Sequence, residues 1–303
     1  MPTVLQLKAM AKNAGIRGYS KMIKVQLETV LELSSSLGDS PAPVAPVDQV
    51  YDRVSDYKHI QIYDADHARK LWLDRRSNII PNYDIFVQDD FLLESESEYL
   101  FHRLNNDALY DARAAHQFRG RDRPRDIAFF SNFYPNPNDE PNDEPDYPVY
   151  RHEYNRIPPP PHPFDDIPAL ALVRDRINSL ILDEKQKVNH LVVHRYLDGK
   201  DNIQSHSDKT GDFSDGSSVW TVSLGEVREI RYHEVKPDGG SYAKTQANYI
   251  RPLPAGSLNQ LDPRTNADYV HGVFKTAPSK YKTTKSRISL SFRSVESRRS
   301  DSP

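Results

Sequence analysis

"SRISLSFRSV", residues 286–295, alternates without a break from Arg287 to Arg293. Ile288, Leu290 and Phe292 are apolar; Arg287, Ser289, Ser291 and Arg293 are polar. Successive side chains of a strand point to opposite faces, so the pattern predicts a strand with one apolar and one polar face. The apolar face needs a core. The polar face points into solvent or into a cavity, and two arginines on a cavity wall call for an anionic ligand. "KVNHLVVHRYL", residues 187–197, follows the same arithmetic: His194 and Tyr196 share a face opposite Val193 and Arg195. A carboxylate held by arginine and a tyrosine hydroxyl suits such walls.

Outward from these two strands, the pattern stays the same. "SSVWTVSLG", "EIRYHEV", "ANYIRPLPAGSLNQLD" and "DYVHGVF" read as further short strands. Upstream, "YDIFVQDDFL" reads as a strand entering a turn. "LESESEYLFHRLNN" reads as an amphipathic helix with Leu93, Tyr99, Leu100, Phe101 and Leu104 inward, and "DIPALALVRDRINSLILDE" as a second helix. Helices first and many strands after predict an α+β domain whose core is an antiparallel barrel or jelly roll.

Composition narrows the chemistry. The chain of 303 residues has no cysteine, which excludes disulfides, thiolate-bound zinc, iron–sulfur clusters and a thiol nucleophile. Any metal must sit on His, Asp or Glu. "NIQSHSDKTG", residues 202–211, sets His206 and Asp208 two apart on a polar segment, and His271 follows 63 residues after Asp208. Two histidines and one carboxylate form a facial triad. Such a triad holds Fe(II) on one side and leaves positions open for a co-substrate and O2.

These residues resemble the AlkB-type Fe(II)/2-oxoglutarate dioxygenases. His-x-Asp, then His, then R-x5-R, with "HRYLDGKDNIQSHSDK", "TVSLGEVREIRYH", "LPAGSLNQLD" and a last strand ending in "SFR", occur in that family's order over about 84–295. The resemblance implies a double-stranded β-helix (jelly-roll) dioxygenase domain, set at 83–296. It implies that His206, Asp208 and His271 bind Fe(II). Arg287 would pair with the distal carboxylate of 2-oxoglutarate, with Tyr196 and Arg293 assisting; His194 and Ser291 complete the co-substrate set. Two positions depart from the family. His194 stands where Asn is usual, which alters one co-substrate contact. Thr210 stands where an acidic residue is common, which leaves the preferred base open. The implied reaction is oxidative demethylation of N-alkylated bases in DNA, a repair activity, releasing formaldehyde, succinate and CO2. RNA demethylation on the same scaffold, an inactive nucleic-acid-binding protein and a protein hydroxylase are the alternatives.

Residues 1–36 read as two short helices around "GIRGYSK". Lys8, Lys12, Arg17, Lys21 and Lys24 face only Glu28 and Glu32. The stretch is similar to SAP and Rho N-terminal modules, which implies nucleic-acid binding. A Pro- and Ser-rich linker follows at 37–50. The segment 51–82 has no functional reading; it carries a possible strand ("HIQIY") and a short helix over Asp66–Asp74. Residues 297–303 read as a disordered tail. Formal net charge is −3, so a nucleic-acid partner must use local basic patches. "FRGRDRPRD" offers Arg119, Arg121, Arg123 and Arg125 on one face of an extended segment, for phosphate. "IAFFSNFY" offers Phe129, Phe130, Phe133 and Tyr134 as candidates for stacking on a flipped base, with some of them core instead. "NDEPNDEPD" (138–146) and "IPPPPHP" (157–163) read as solvated loops. No signal peptide or apolar run long enough for a membrane span is expected. The expected protein is monomeric and intracellular, nuclear in a eukaryote.

Overall fold

The computed structural model describes residues 3, 6, 60–61, 64–110, 124–132, 150, 161–235, 247–280 and 284–296. Apart from residues 3 and 6, the N-terminal module lies outside them, as do the linker, the NDEP repeat and the tail.

Twelve strands form two sheets among the described residues. The major sheet has the order β1 (Ser77–Asn78), β2 (Ile85–Gln88), β10 (Leu258–Leu261), β7 (Val219–Gly225), β12 (Arg287–Arg293), β5 (His190–Tyr196), β3 (Asp126–Ser131) and β4 (His162–Pro163). The minor sheet has the order β6 (Ile203–His206), β11 (Tyr269–Val273), β8 (Arg228–Glu234) and β9 (Tyr249–Leu253). Every pairing is antiparallel except β3 with β4. The two sheets form the jelly-roll core expected from the sequence.

The predicted alternation decides where each layer goes. Ile288, Leu290 and Phe292 of β12 join Leu191 and Val193 of β5 and Val222 and Leu224 of β7 in one buried cluster. Three helices cover that face: α1 (Ala65–Arg75), α2 (Glu94–Leu104) and α3 (Pro168–Asn178). Leu290 is fully buried, so truncation to Ala would cost about 2–5 kcal/mol for lost transfer energy and cavity. The polar face of β12 looks the other way, toward the minor sheet.

Three local readings differ. Leu93 precedes α2 rather than packing inside it and is half exposed. The inward polar residue of that helix is Glu96, which accepts from Leu93 N (2.8 Å) and pairs with buried Arg176 of α3 at 2.7 Å. Where it is described, the segment before residue 83 packs against the strands and helices that follow it. Asp64 caps α1, Trp72 packs its ring 5.4 Å from Trp220, and β1 pairs with β2. "ANYIRPLPAGSLNQLD" holds two strands, turned at Gly256 with φ +84°, where a Cβ would stand 2.8 Å from the Leu92 carbonyl oxygen.

Candidate metal and co-substrate site

Strand pairing assembles the triad. His271 of β11 lies directly opposite His206 of β6, with ring centroids 4.6 Å apart. Gly272 permits the approach: a Cβ there would meet the Ile203 carbonyl oxygen at 2.7 Å. Asp208 follows β6 by two residues, and its backbone is held from outside the strand. Its N–H donates to Asn266 Oδ1 (2.8 Å), and Asn266 Nδ2 donates to its carbonyl oxygen (2.9 Å). Asn266 belongs to α4 (Pro263–Asp268), which Asp262 caps by accepting from Arg264 N and Thr265 N. One stretch, 262–271, therefore supplies both the clamp on Asp208 and the second histidine.

The carboxylate of Asp208 faces both rings. Oδ1 is 3.6 Å from His206 Nε2 and Oδ2 is 3.9 Å from His271 Nε2. Two ligands each about 2.1 Å from a shared ion span at most about 4.2 Å, so both separations suit one metal. The three donor atoms all lie within 4.8 Å of one another. His206 Nδ1 donates to the Gln204 carbonyl oxygen at 2.9 Å, since a carbonyl can only accept. That fixes the proton on Nδ1 and leaves the Nε2 lone pair for a metal. Burial would raise the Asp208 carboxyl, but Arg293 at 3.3 Å and both histidines outweigh it and hold it well below its ordinary value. Burial, with His206 beside it, pulls His271 down to about 4. A carboxylate and a neutral imidazole at pH 7 are the protonation states a metal requires.

The triad opens into a cavity. Arg287, Ser289, Ser291 and Arg293 line it, with His194, Tyr196 and Thr221. Arg287 is 1% exposed and donates to Ser223 Oγ at 2.9 Å, while its Nε and Nη1 have no protein partner. Its guanidinium lies 5.4 Å over the Tyr196 ring. Arg293 donates to Asp208 through Nη2, and its Nε and Nη1 are also unpartnered. Buried N–H groups are normally satisfied, so two guanidiniums with spare donors in one cavity fit a dicarboxylate. The residues fit Fe(II) and 2-oxoglutarate.

The expected nucleic-acid residues fare differently. Phe130 is fully buried under the helical layer, and Phe129 is 4% exposed beside Tyr150 and His190. Neither can stack on a base, because β3 runs inside the sheet between β4 and β5 with both faces covered. Arg125 is also buried; its Nη1 donates to the Asn202 carbonyl oxygen. Lys8, Lys12, Arg17, Lys21, Lys24, Arg119, Arg121, Arg123, Phe133 and Tyr134 lie outside the described residues. The sequence reading missed Asn266, Asn259, Tyr232, Thr221 and Ser223. The last two were legible in "VWTVSLG", whose polar positions alternate with buried apolar ones. The Asn266 clamp joins residues 58 apart in sequence and has no local signature.

The chain is 30% identical over 129 residues to DNA oxidative demethylase ALKBH2 of Homo sapiens, covering 43% of this chain and 47% of that protein. It is 28% identical over 144 residues to alpha-ketoglutarate-dependent dioxygenase alkB homolog 3 of Mus musculus, 47% of each chain. It thus spans about half the length of the relatives it matches. The solved structure of OsALKBH1 superposes with a TM-score of 0.41 at 16% identity, covering 72% of this chain and 99% of that one. The family described as the 2OG-Fe(II) oxygenase superfamily matches residues 85–293, most of the chain, and the protein belongs to it.

Proposed function

We propose that this protein uses Fe(II), 2-oxoglutarate and O2 to remove methyl groups from N-alkylated bases in DNA. One observation carries the reading: His206, Asp208 and His271 share a buried cavity with two arginines whose N–H groups are unmatched. Relatives named as DNA oxidative demethylases supply the substrate class. Bound iron would supply the oxidation of the methyl C–H bond. The carbon leaves as formaldehyde while 2-oxoglutarate becomes succinate and CO2.

The chain's own residues orient and exclude. Arg287 and Tyr196 hold the distal carboxylate of the co-substrate. Arg293 holds Asp208 and the nearer end. Ile203, Ile230, Leu253, Leu261 and Val273 wall the cavity with apolar surface and keep water out. His206 is the most exposed ligand, with 22% of its side chain accessible against 11% for His271 and 6% for Asp208. The base enters from that side, flipped out of a duplex or already single-stranded. The basic segment 1–36 tethers the enzyme to long DNA without touching the chemistry. Among the described residues no helix is long and apolar enough to cross a membrane.

The test is formaldehyde release from N-methylated single-stranded DNA, duplex DNA and RNA, with and without Fe(II) and 2-oxoglutarate. Release from DNA that needs both is the expected result. Release from RNA alone would move the substrate to RNA, and no release from any of the three would remove demethylation. Deleting residues 1–45 should leave kcat on a short oligonucleotide nearly unchanged and make binding to long DNA weaker and less salt-dependent. Unchanged binding at every salt concentration would end the tether reading.

A further inference from the structure

One polar side chain of the cavity has no part in the site as described. Asn259 of β10 is 3% exposed and lines the cavity. The same cavity carries apolar side chains: Leu261 on its own strand, Ile230 of β8 and Leu253 of β9. A buried amide in such a setting is costly unless it is hydrogen-bonded.

Register fixes its position along the cavity. Asn259 pairs with Thr221 of β7, and Thr221 pairs with Ser291 of β12. The Thr221 and Ser291 hydroxyls are 3.2 Å apart. Asn259 therefore ends a polar row across three strands. That row is adjacent, along β12, to Arg293, the arginine that touches Asp208. It lies on the metal side of the cavity, away from Arg287.

The hydrogen bonding of this amide is half complete. Nδ2 stands 3.4 Å from the Tyr232 hydroxyl, and Oδ1 is buried without a partner. So oriented, the carbonyl oxygen lacks a donor, and the phenol proton of Tyr232 has no acceptor among the described residues. Amide O and N occupy nearly the same volume. Turned over, the amide accepts from the Tyr232 O–H through Oδ1 and directs its NH2 group into the cavity. Both polar groups are then used, and the cavity gains a neutral donor beside two cationic ones.

We infer that Asn259 is a third donor to bound 2-oxoglutarate, acting on the carboxylate nearer Asp208, with Tyr232 as the positioning residue that sets the amide. The inference rests on the reading of this cavity as the 2-oxoglutarate site. It adds a contact from β10, beyond those of β12 and β5.

Calorimetric titration of 2-oxoglutarate into the full-length, Mn(II)-loaded protein tests it. Asn259→Leu removes the donor and should raise the Kd for 2-oxoglutarate about tenfold or more, the usual effect of losing a hydrogen bond to a charged group. Asn259→Asp keeps the volume, sets a carboxylate against a carboxylate, and should raise the Kd further. Tyr232→Phe keeps the NH2 group but frees the amide to turn, and should give a smaller rise. Mn(II) affinity should stay within about threefold of wild type in both Asn259 variants, because Asn259 touches none of the triad; Tyr232, whose ring lies 6.0 Å from that of His271, carries no such expectation. A folded Asn259→Leu variant that binds 2-oxoglutarate like wild type overturns the inference, and Asn259 then only bridges the sheets. If the Leu variant does not fold, the Asp variant decides by the same criterion. Failure of the wild type itself to bind 2-oxoglutarate overturns the inference together with the reading beneath it.

Discussion

The major and minor sheets face the same cavity with different equipment. The major sheet gives Arg287, Ser289, Ser291 and Arg293 from β12 and His194 and Tyr196 from β5. Both strands run seven residues with every residue buried. The minor sheet gives His206 and His271 from short strands whose pairing shifts register just past His271. Asp208 comes from the chain beyond β6, held by Asn266. The co-substrate end is thus set by regular, doubly covered sheet. The metal end is set by a bulged pairing, a close approach at Gly272 and a clamp from a short helix. The two ends are therefore separable: each should fail without the other.

The largest expected effect is at the metal end. Asp208→Ala should abolish metal binding and turnover, since two imidazoles alone do not complete the triad. A metal titration on the folded variant checks it; retained wild-type turnover would break the assignment. Next is Arg287→Ala, which should weaken 2-oxoglutarate binding by about 2–5 kcal/mol, the range for emptying half of a buried charge pair. Arg287→Lys should rescue only part, because the planar fork is lost. Smaller is Asn266→Ala. It touches no ligand atom, so metal affinity should drop about 10-fold, as for groups that orient ligands, with 2-oxoglutarate affinity at saturating metal nearly intact.

A last expected effect is in pH. Burial is the main cause holding His190 at about 3 and His271 at about 4, against 6.5 for an ordinary histidine. The unfolded chain takes up these protons near pH 6.5, and the folded chain resists until far lower. The stability of the metal-free protein should therefore be full above about pH 6.5 and fall as pH drops toward about 4. Urea midpoints across that range measure it. His190→Phe should flatten the slope by removing one of the two groups; an unchanged slope would show that His190 has no share.

The major sheet was far more legible in the sequence than the minor one. Alternation in "RISLSFR" and "VNHLVVHRY" gave strands, faces and co-substrate candidates, because both faces of those strands are buried and each residue type reports its side. Spacing and family resemblance point to the triad residues, but "IQSH" reads as a polar segment, and it is β6. A short strand at the edge of its sheet has too few buried positions to show a period. "DIAFFS" failed for the opposite reason. Its phenylalanines looked available for stacking, whereas β3 is covered on both faces and its aromatics fill them. Asn266 and Asn259 act through partners remote in sequence, which no local pattern encodes.

The separability of the two ends is tested most directly in a single variant, Arg287→Ala, titrated first with Mn(II) and then with 2-oxoglutarate. The expected result is a metal Kd within about threefold of wild type and 2-oxoglutarate binding weakened about 30-fold or more. Equal loss of metal and 2-oxoglutarate affinity in the folded variant would contradict it.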